Sequence, residues 1–381
     1  MSAMKAPRTV ISTALTLAAI THASASFAAT DFGAKGPEAT TTSNLPAGAA
    51  TGGKLVVPNG AGPYPILVAS HGFSASSANQ LGWAEHFASY GFVVAVPDFP
   101  GGLSPDHVKN GDTIVTLVND VATAVPKADK TRIGFEGHSA GGLATTLAAA
   151  KVKPGAVVLF DPVDNGGRGK TAFATLCSPT LVLFANAGTC NNSAGWKAFG
   201  AATTGPLTLA SVVGGSHCDG ENASRGVACS LFCQQSGADP ARQTVHAKYA
   251  TAHFMAVLKN DADAKALLAD TALAGDTALS DTSVKAGAPC SGTTPGSDAG
   301  PTTDGGSTPT PTPTGTTPGT PGTPGTPNNP GGSPSAQPED GAATESGCSA
   351  GPGAASGSIG AVALGLAVGL VAVGRARRRT R

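Results

Sequence analysis

An α/β domain with a mostly parallel central sheet and helices on both faces is the fold class this sequence predicts. Short, nearly continuous apolar runs recur at 55–57, 65–70, 92–97, 132–136, 156–160, 180–186 and 207–213. Helical patterns separate most of them, at 77–90, 108–125, 141–151 and 195–199, and a longer one follows at 240–258. Strands that are apolar throughout are covered on both faces, the condition of a parallel sheet between helix layers. The stretch 29–290, roughly 260 residues, is long enough for one sizeable core. Ligands in such sheets bind beyond the carboxyl ends of the strands, so functional residues are expected in the loops that follow strands.

The flanks of this domain are of a different kind. Charged residues make up 13% of the 381 and aromatics 5%, while Gly (52) and Pro (29) abound. Much of the Gly and Pro lies in 291–346, with repeats such as Thr-Pro-Thr-Pro-Thr. Proline fixes φ and removes amide donors, and little apolar surface is left to bury, so a disordered, semi-extended stalk is expected. The formal net charge is zero, which gives no electrostatic footprint for nucleic acid.

Residues 1–28 read as a secretory signal peptide. Lys5 and Arg8 precede an apolar run at 10–20, and Ala23-Ser24-Ala25 or Ser26-Phe27-Ala28 offers a cleavage site. The competing readings are a disordered tail or the first helix of the fold. At the other end, 357–374 is an uncharged run of about 18 residues, just enough to span a bilayer. Arg375, Arg377, Arg378, Arg379 and Arg381 follow it, and such a cluster stays cytoplasmic. Both ends therefore point to export, with membrane attachment through the C-terminal segment.

Cysteine usage agrees with export. Cys348 stands apart, and Cys177, Cys190, Cys218, Cys229, Cys233 and Cys290 lie in the globular part, an even set that suggests disulfides. Cys177 and Cys190 flank the strand expected at 180–186, roughly 20 Å apart at about 3.3 Å per residue. A disulfide needs Cα atoms within roughly 7 Å, so a Cys177–Cys190 bridge is not expected. Cys218 follows a candidate base, and a bridge from it would pin that loop. A zinc site is the rival reading, but no CxxC pair supports it.

Three loops carry the candidate chemistry. The strand at 132–136 runs into Gly137-His138-Ser139-Ala140-Gly141-Gly142 and then a helix, which is G-x-S-x-G in the strand–turn–helix context that exposes a nucleophilic serine. The strand at 65–70 ends in His71-Gly72-Phe73-Ser74, so the amides of Phe73 and Ala140 are the candidate oxyanion hole. His71 is read as shaping that loop rather than moving protons. The general base should follow the last strand. His217 alone has that place, since His71 and His138 sit inside the other motifs and His246 and His253 inside a helix. The acid should lie between them. The loop after 180–186 has no carboxylate, which leaves Asp161 or Asp164 after 156–160, with Asp161 at the strand end itself. Asp219 is too close to His217 in sequence to orient its ring.

From about residue 52 to 259 the chain resembles the chlorophyllase and polyester-hydrolase branch of the α/β-hydrolases, a cutinase-like, dienelactone-hydrolase-related group. The resemblance rests on 65–73, on 90–98 (Tyr-Gly-Phe-Val-Val-Ala-Val-Pro-Asp), on the elbow at 137–142 and on Asp161-Pro162-Val163-Asp164. The last stretch is similar to a chlorophyllase motif whose first aspartate is the triad acid, which implies Asp161. Ala140 stands where chlorophyllases usually carry Arg, and polyester hydrolases place their acid one strand later, so neither substrate carries over. The end of the chain, 347–381 with Cys348, resembles a myxobacterial C-terminal sorting signal, which implies processing near Cys348 and surface display. A plain single-pass anchor is the alternative.

The expected activity is therefore hydrolysis of a small-molecule, lipid or polymer ester by a Ser139–His217–Asp161 triad in a monomer, needing no cofactor or metal. Export and sorting machinery are the expected partners. A lipase or polyester hydrolase on insoluble substrate would use the same triad. An inactive surface adhesin on a hydrolase scaffold is the reading from another class.

Overall fold

The computed structural model describes residues 30–100, 102, 104–191, 200–222, 227–288 and 290. The expected signal peptide (1–28), stalk (291–346), sorting segment (347–381) with Cys348 and its apolar run (357–374), and the helix expected at 195–199 lie outside the described residues.

Nine strands form one mixed sheet: β1 (Thr40–Asn44), β2 (Gly53–Pro58), β3 (Tyr64–Ser70), β4 (Val93–Pro97), β5 (Ala128–His138), β6 (Ala156–Phe160), β7 (Thr180–Phe184), β8 (Leu207–Val212) and β9 (Leu279–Lys285). Their spatial order is β1-β2-β4-β3-β5-β6-β7-β8-β9. Strands β3 to β8 run parallel, while β1, β2 and β9 make antiparallel pairs at the two ends. All residues of β3, β4, β6 and β7 are buried, as a sheet covered on both faces requires.

Two helix layers do the covering. Helices α1 (Leu81–Ser89), α2 (His107–Ala124), α3 (Ala140–Val152) and α4 (Arg168–Ala174) precede β7. Helices α5 (Val227–Cys233), α6 (Pro240–Leu258), α7 (Ala262–Leu267) and α8 (Asp270–Gly275) follow β8. One core packs α1 and α6 against alternate strand residues such as Leu67, Ala69 and Val94. The other packs α2, α3 and α4 against the intervening ones, including Ile66, Val68 and Val93. Period-two alternation along each strand thus feeds both cores.

Local chemistry sets the helix boundaries. The Asp106 carboxylate caps α2 by accepting the amides of Val108 and Lys109, and Ile114, Leu117, Val118 and Val121 then form its buried stripe. Asp239 caps α6 in the same way, with Pro240 at the first helical position. The helix expected as one piece at 77–90 is a 3-10 turn, Ser77–Asn79, followed by α1. Two edge strands carry no apolar run: β1 reads Thr-Thr-Thr-Ser-Asn and β9 is exposed at most positions. Polar, partly exposed edges discourage pairing with other chains. Among the described residues, no helix is long and apolar enough to cross a membrane.

Candidate active site

Ser139 joins β5 to α3 with φ 54° and ψ −122°, backbone that L-residues rarely adopt and that costs on the order of 1–3 kcal/mol. The surroundings enforce it. The Ser139 amide donates to the Phe160 carbonyl (3.1 Å), and the Ser139 carbonyl accepts from Leu143 and Val163. A Cβ on Gly141 would lie against the carbonyls of Ser70 and His71, and one on Gly137 against Gly141 and Thr145. The two glycines therefore let β3, β5 and α3 crowd the turn.

Asp161 follows β6 directly, also at positive φ (40°), with its amide on the Leu183 carbonyl. Its Oδ1 accepts from the Ala185 amide (3.1 Å) and from Asn191 Nδ2 (2.7 Å), and its Oδ2 lies 2.6 Å from His217 Nδ1. His217 opens a 3-10 turn after β8, and its Nε2 lies 2.9 Å from Ser139 Oγ. A carboxylate only accepts, so Nδ1 carries the proton and Nε2 is left to accept from the serine hydroxyl. All three side chains are buried. The structure thus brings Ser139, His217 and Asp161 into one hydrogen-bonded run. Asp164 is elsewhere: it accepts the amides of Gly169 (2.7 Å) and Lys170 (3.2 Å) in the first turn of α4.

The loop after β3 passes beside the serine. A Cβ on Gly72 would stand 3.2 Å from Ser139 Cβ, and Phe73 and Ala140 line the same small cavity, with His71, Phe99 and Pro100. His71 is buried; its Nε2 accepts the Phe99 amide (3.0 Å), so its Nδ1 donates to the Gly72 carbonyl (2.8 Å). That ring ties the loops after β3 and β4 together.

The sequence did not expose several groups that hold this arrangement. Asn191 steadies the free oxygen of Asp161. Gln235 accepts from the His217 amide (2.7 Å) and donates to the Asn186 carbonyl (2.6 Å), joining the loops after β8 and β7. His138 Nε2 donates to the His217 carbonyl (2.8 Å), its ring lies 4.7 Å from that of His217, and Glu221 Oε1 is 3.9 Å from its Nδ1. Fully buried Asp219 accepts from the Ser216 amide (2.7 Å) and pairs with Arg242 Nε (2.6 Å). The Asp219 bond raises the Arg242 pKa still further. Ser216 and Asp219 form a capping box, an S-x-x-D signal readable in sequence.

The two helical histidines are packed rather than exposed. His246 lies against Phe160 and Trp83, and His253 bonds the Pro179 carbonyl. Burial lowers both, His253 to about 4. Glu136, three residues before Ser139, is fully buried with no hydrogen-bond partner for either oxygen among the described residues, and burial holds its pKa well above the usual carboxylate range.

Three disulfides join the six globular cysteines: Cys177–Cys290, Cys190–Cys233 and Cys218–Cys229. Cys218 is thus bridged to α5, and Cys190 to the end of the same helix. Cys190, His217 and Cys233 present ligand atoms within 4.8 Å of one another, as do Cys218, Cys229 and Cys233. Every sulfur in these groups is in a disulfide, and metal ligation calls for thiolates.

Residues 26–183 match the family model described as Chlorophyllase. Chlorophyllase-1, chloroplastic, from Citrus sinensis is 27% identical over 138 residues, 34% of this chain and 40% of the relative. Its counterpart from Citrus unshiu is 26% identical over the same shares. The chain spans less than half the length of either relative, and the family-model match ends before β8 and His217. Sheet order and helix layers are those of an α/β-hydrolase fold, and the matches show weak homology to the chlorophyllases.

Proposed function

We propose that the domain is a serine carboxylic-ester hydrolase that works through an acyl-enzyme. The observation that carries this reading is the run Ser139–His217–Asp161, with contacts of 2.9 and 2.6 Å at the carboxyl end of a parallel sheet. In the proposed cycle His217 Nε2 takes the Ser139 proton as Oγ bonds to the ester carbonyl carbon. The amides of Phe73 and Ala140 receive the oxyanion. Collapse breaks the C–O bond, and the imidazolium gives its proton to the departing alcohol. Water then attacks the acyl-enzyme by the same route and returns Ser139. Asp161 holds the Nδ1–H tautomer and offsets the imidazolium charge, while Asn191 and the Ala185 amide hold Asp161.

The chlorophyllase likeness supports ester cleavage as the reaction class. Three disulfides and the pattern at 1–28 support export, and 347–381 with Cys348 supports attachment at the cell surface. The test is turnover of p-nitrophenyl acetate by the parent and by Ser139→Ala. The variant should lose at least about 10³-fold in kcat/KM with its thermal unfolding unchanged. Equal turnover by the two removes Ser139 from the reaction.

A further inference from the structure

Helix α5 presents Leu231 and Phe232 to solvent at 72% and 79% exposure, the only exposed leucine and phenylalanine among the described residues. Most apolar side chains this large find cover, so an exposed adjacent pair is informative. Its place adds to that. Cys229 ties α5 to Cys218, next to His217, and Cys233 ties it to Cys190, next to Asn191. Thr189 donates its amide to the Cys233 carbonyl (3.2 Å) and its hydroxyl to the Phe232 carbonyl (3.0 Å). Gln235, just past the helix, bonds the His217 amide. The pair is therefore fixed, by covalent and hydrogen bonds, to the loops that deliver His217 and the partner of Asp161.

The charge pattern selects the occupant. From 227 to 238 the chain reads Val-Ala-Cys-Ser-Leu-Phe-Cys-Gln-Gln-Ser-Gly-Ala, without an ionisable acid or base. Such a stretch meets a hydrocarbon surface with no charge to desolvate, whereas the flanking Asp239 would resist burial. We propose that Leu231 and Phe232 seat the domain on the hydrocarbon surface of an aggregated ester, through a helix bonded to the loops of His217 and Asn191. The inference rests on the ester-hydrolase reading for its substrate but not for its docking surface. It makes the favoured substrates water-insoluble esters with long apolar groups.

Two measurements on the full chain test it and separate its failure from that of the ester-hydrolase reading. In Phe232→Trp, the emission of residue 232, taken as a difference from the parent with Trp83 and Trp196, should shift to the blue on adding dioleoylphosphatidylcholine vesicles. This readout needs no turnover and reports α5 rather than the C-terminal segment. No shift overturns the docking surface, and so does a shift that grows with protein concentration without lipid, since a second copy would then cover the pair. In Leu231→Gln/Phe232→Gln, the ratio of turnover on emulsified p-nitrophenyl palmitate to that on soluble p-nitrophenyl acetate should fall at least tenfold. An unchanged ratio overturns the proposal. A parent that cleaves neither ester contradicts the ester-hydrolase reading, and the fluorescence result still decides the docking surface.

Discussion

Two aspartates three residues apart, Asp161 and Asp164, have different tasks because their backbones aim them differently. Asp161 faces His217 from a positive-φ turn, and Asp164 accepts amides at the start of α4. Asp161→Asn should leave the fold intact but lower kcat by about 10⁴-fold with little change in KM, because an amide no longer selects the Nδ1–H tautomer. Asp164→Ala should keep turnover near the parent level and lose about 1 kcal/mol of stability with its cap. Steady-state kinetics and urea unfolding of the pair check both. Glu136 makes a separate prediction. Its native pKa is raised by burial, so the folded chain keeps a proton that the unfolded chain releases above about pH 4.3. Stability therefore falls as pH rises above that point, at up to about 1.4 kcal/mol per unit until the native carboxyl also ionises. Glu136→Gln should gain on the parent with rising pH and lose that advantage below about pH 4, as denaturant midpoints across pH will show.

At the scale of elements, strands with a continuous apolar run were legible: β3, β4, β6 and β7 differ from their expected spans only at the ends. The edges β1 and β9 left no periodic signal, because both are polar and exposed at most positions. Ser139, Asp161 and His217 were legible as residues just after β5, β6 and β8, since topology brings parallel strand ends to one side of a sheet. The contacts of Asn191, Gln235 and His138 were not, because they depend on how loops far apart in sequence meet. The disulfide pairing belongs here too, since α5 is short and its position depends on Cys218–Cys229 and Cys190–Cys233. Replacing Cys218 and Cys229 together by serine should cost about 2–3 kcal/mol. It should also lower kcat more than it changes KM, because the His217 turn loses its tether. Thermal unfolding read beside ester kinetics separates the two effects.

For the whole molecule, a domain of α/β-hydrolase fold is followed in sequence by a long Thr/Pro/Gly-rich stretch at 291–346. The Cys177–Cys290 bridge closes a separation of 113 residues and ties the end of the domain to the segment before β7. Chain entropy makes such a closure worth roughly 4–5 kcal/mol, which suits a domain that leads into a long Thr/Pro-rich stretch. In the proposed cycle this scaffold presents one activated serine. Intact-mass and peptide-mapping measurement after treatment with a fluorophosphonate tests it most directly. A single adduct is expected, on Ser139, absent in Ser139→Ala and strongly slowed in His217→Ala. An unlabelled parent, or an adduct on another residue that persists in Ser139→Ala, would contradict it.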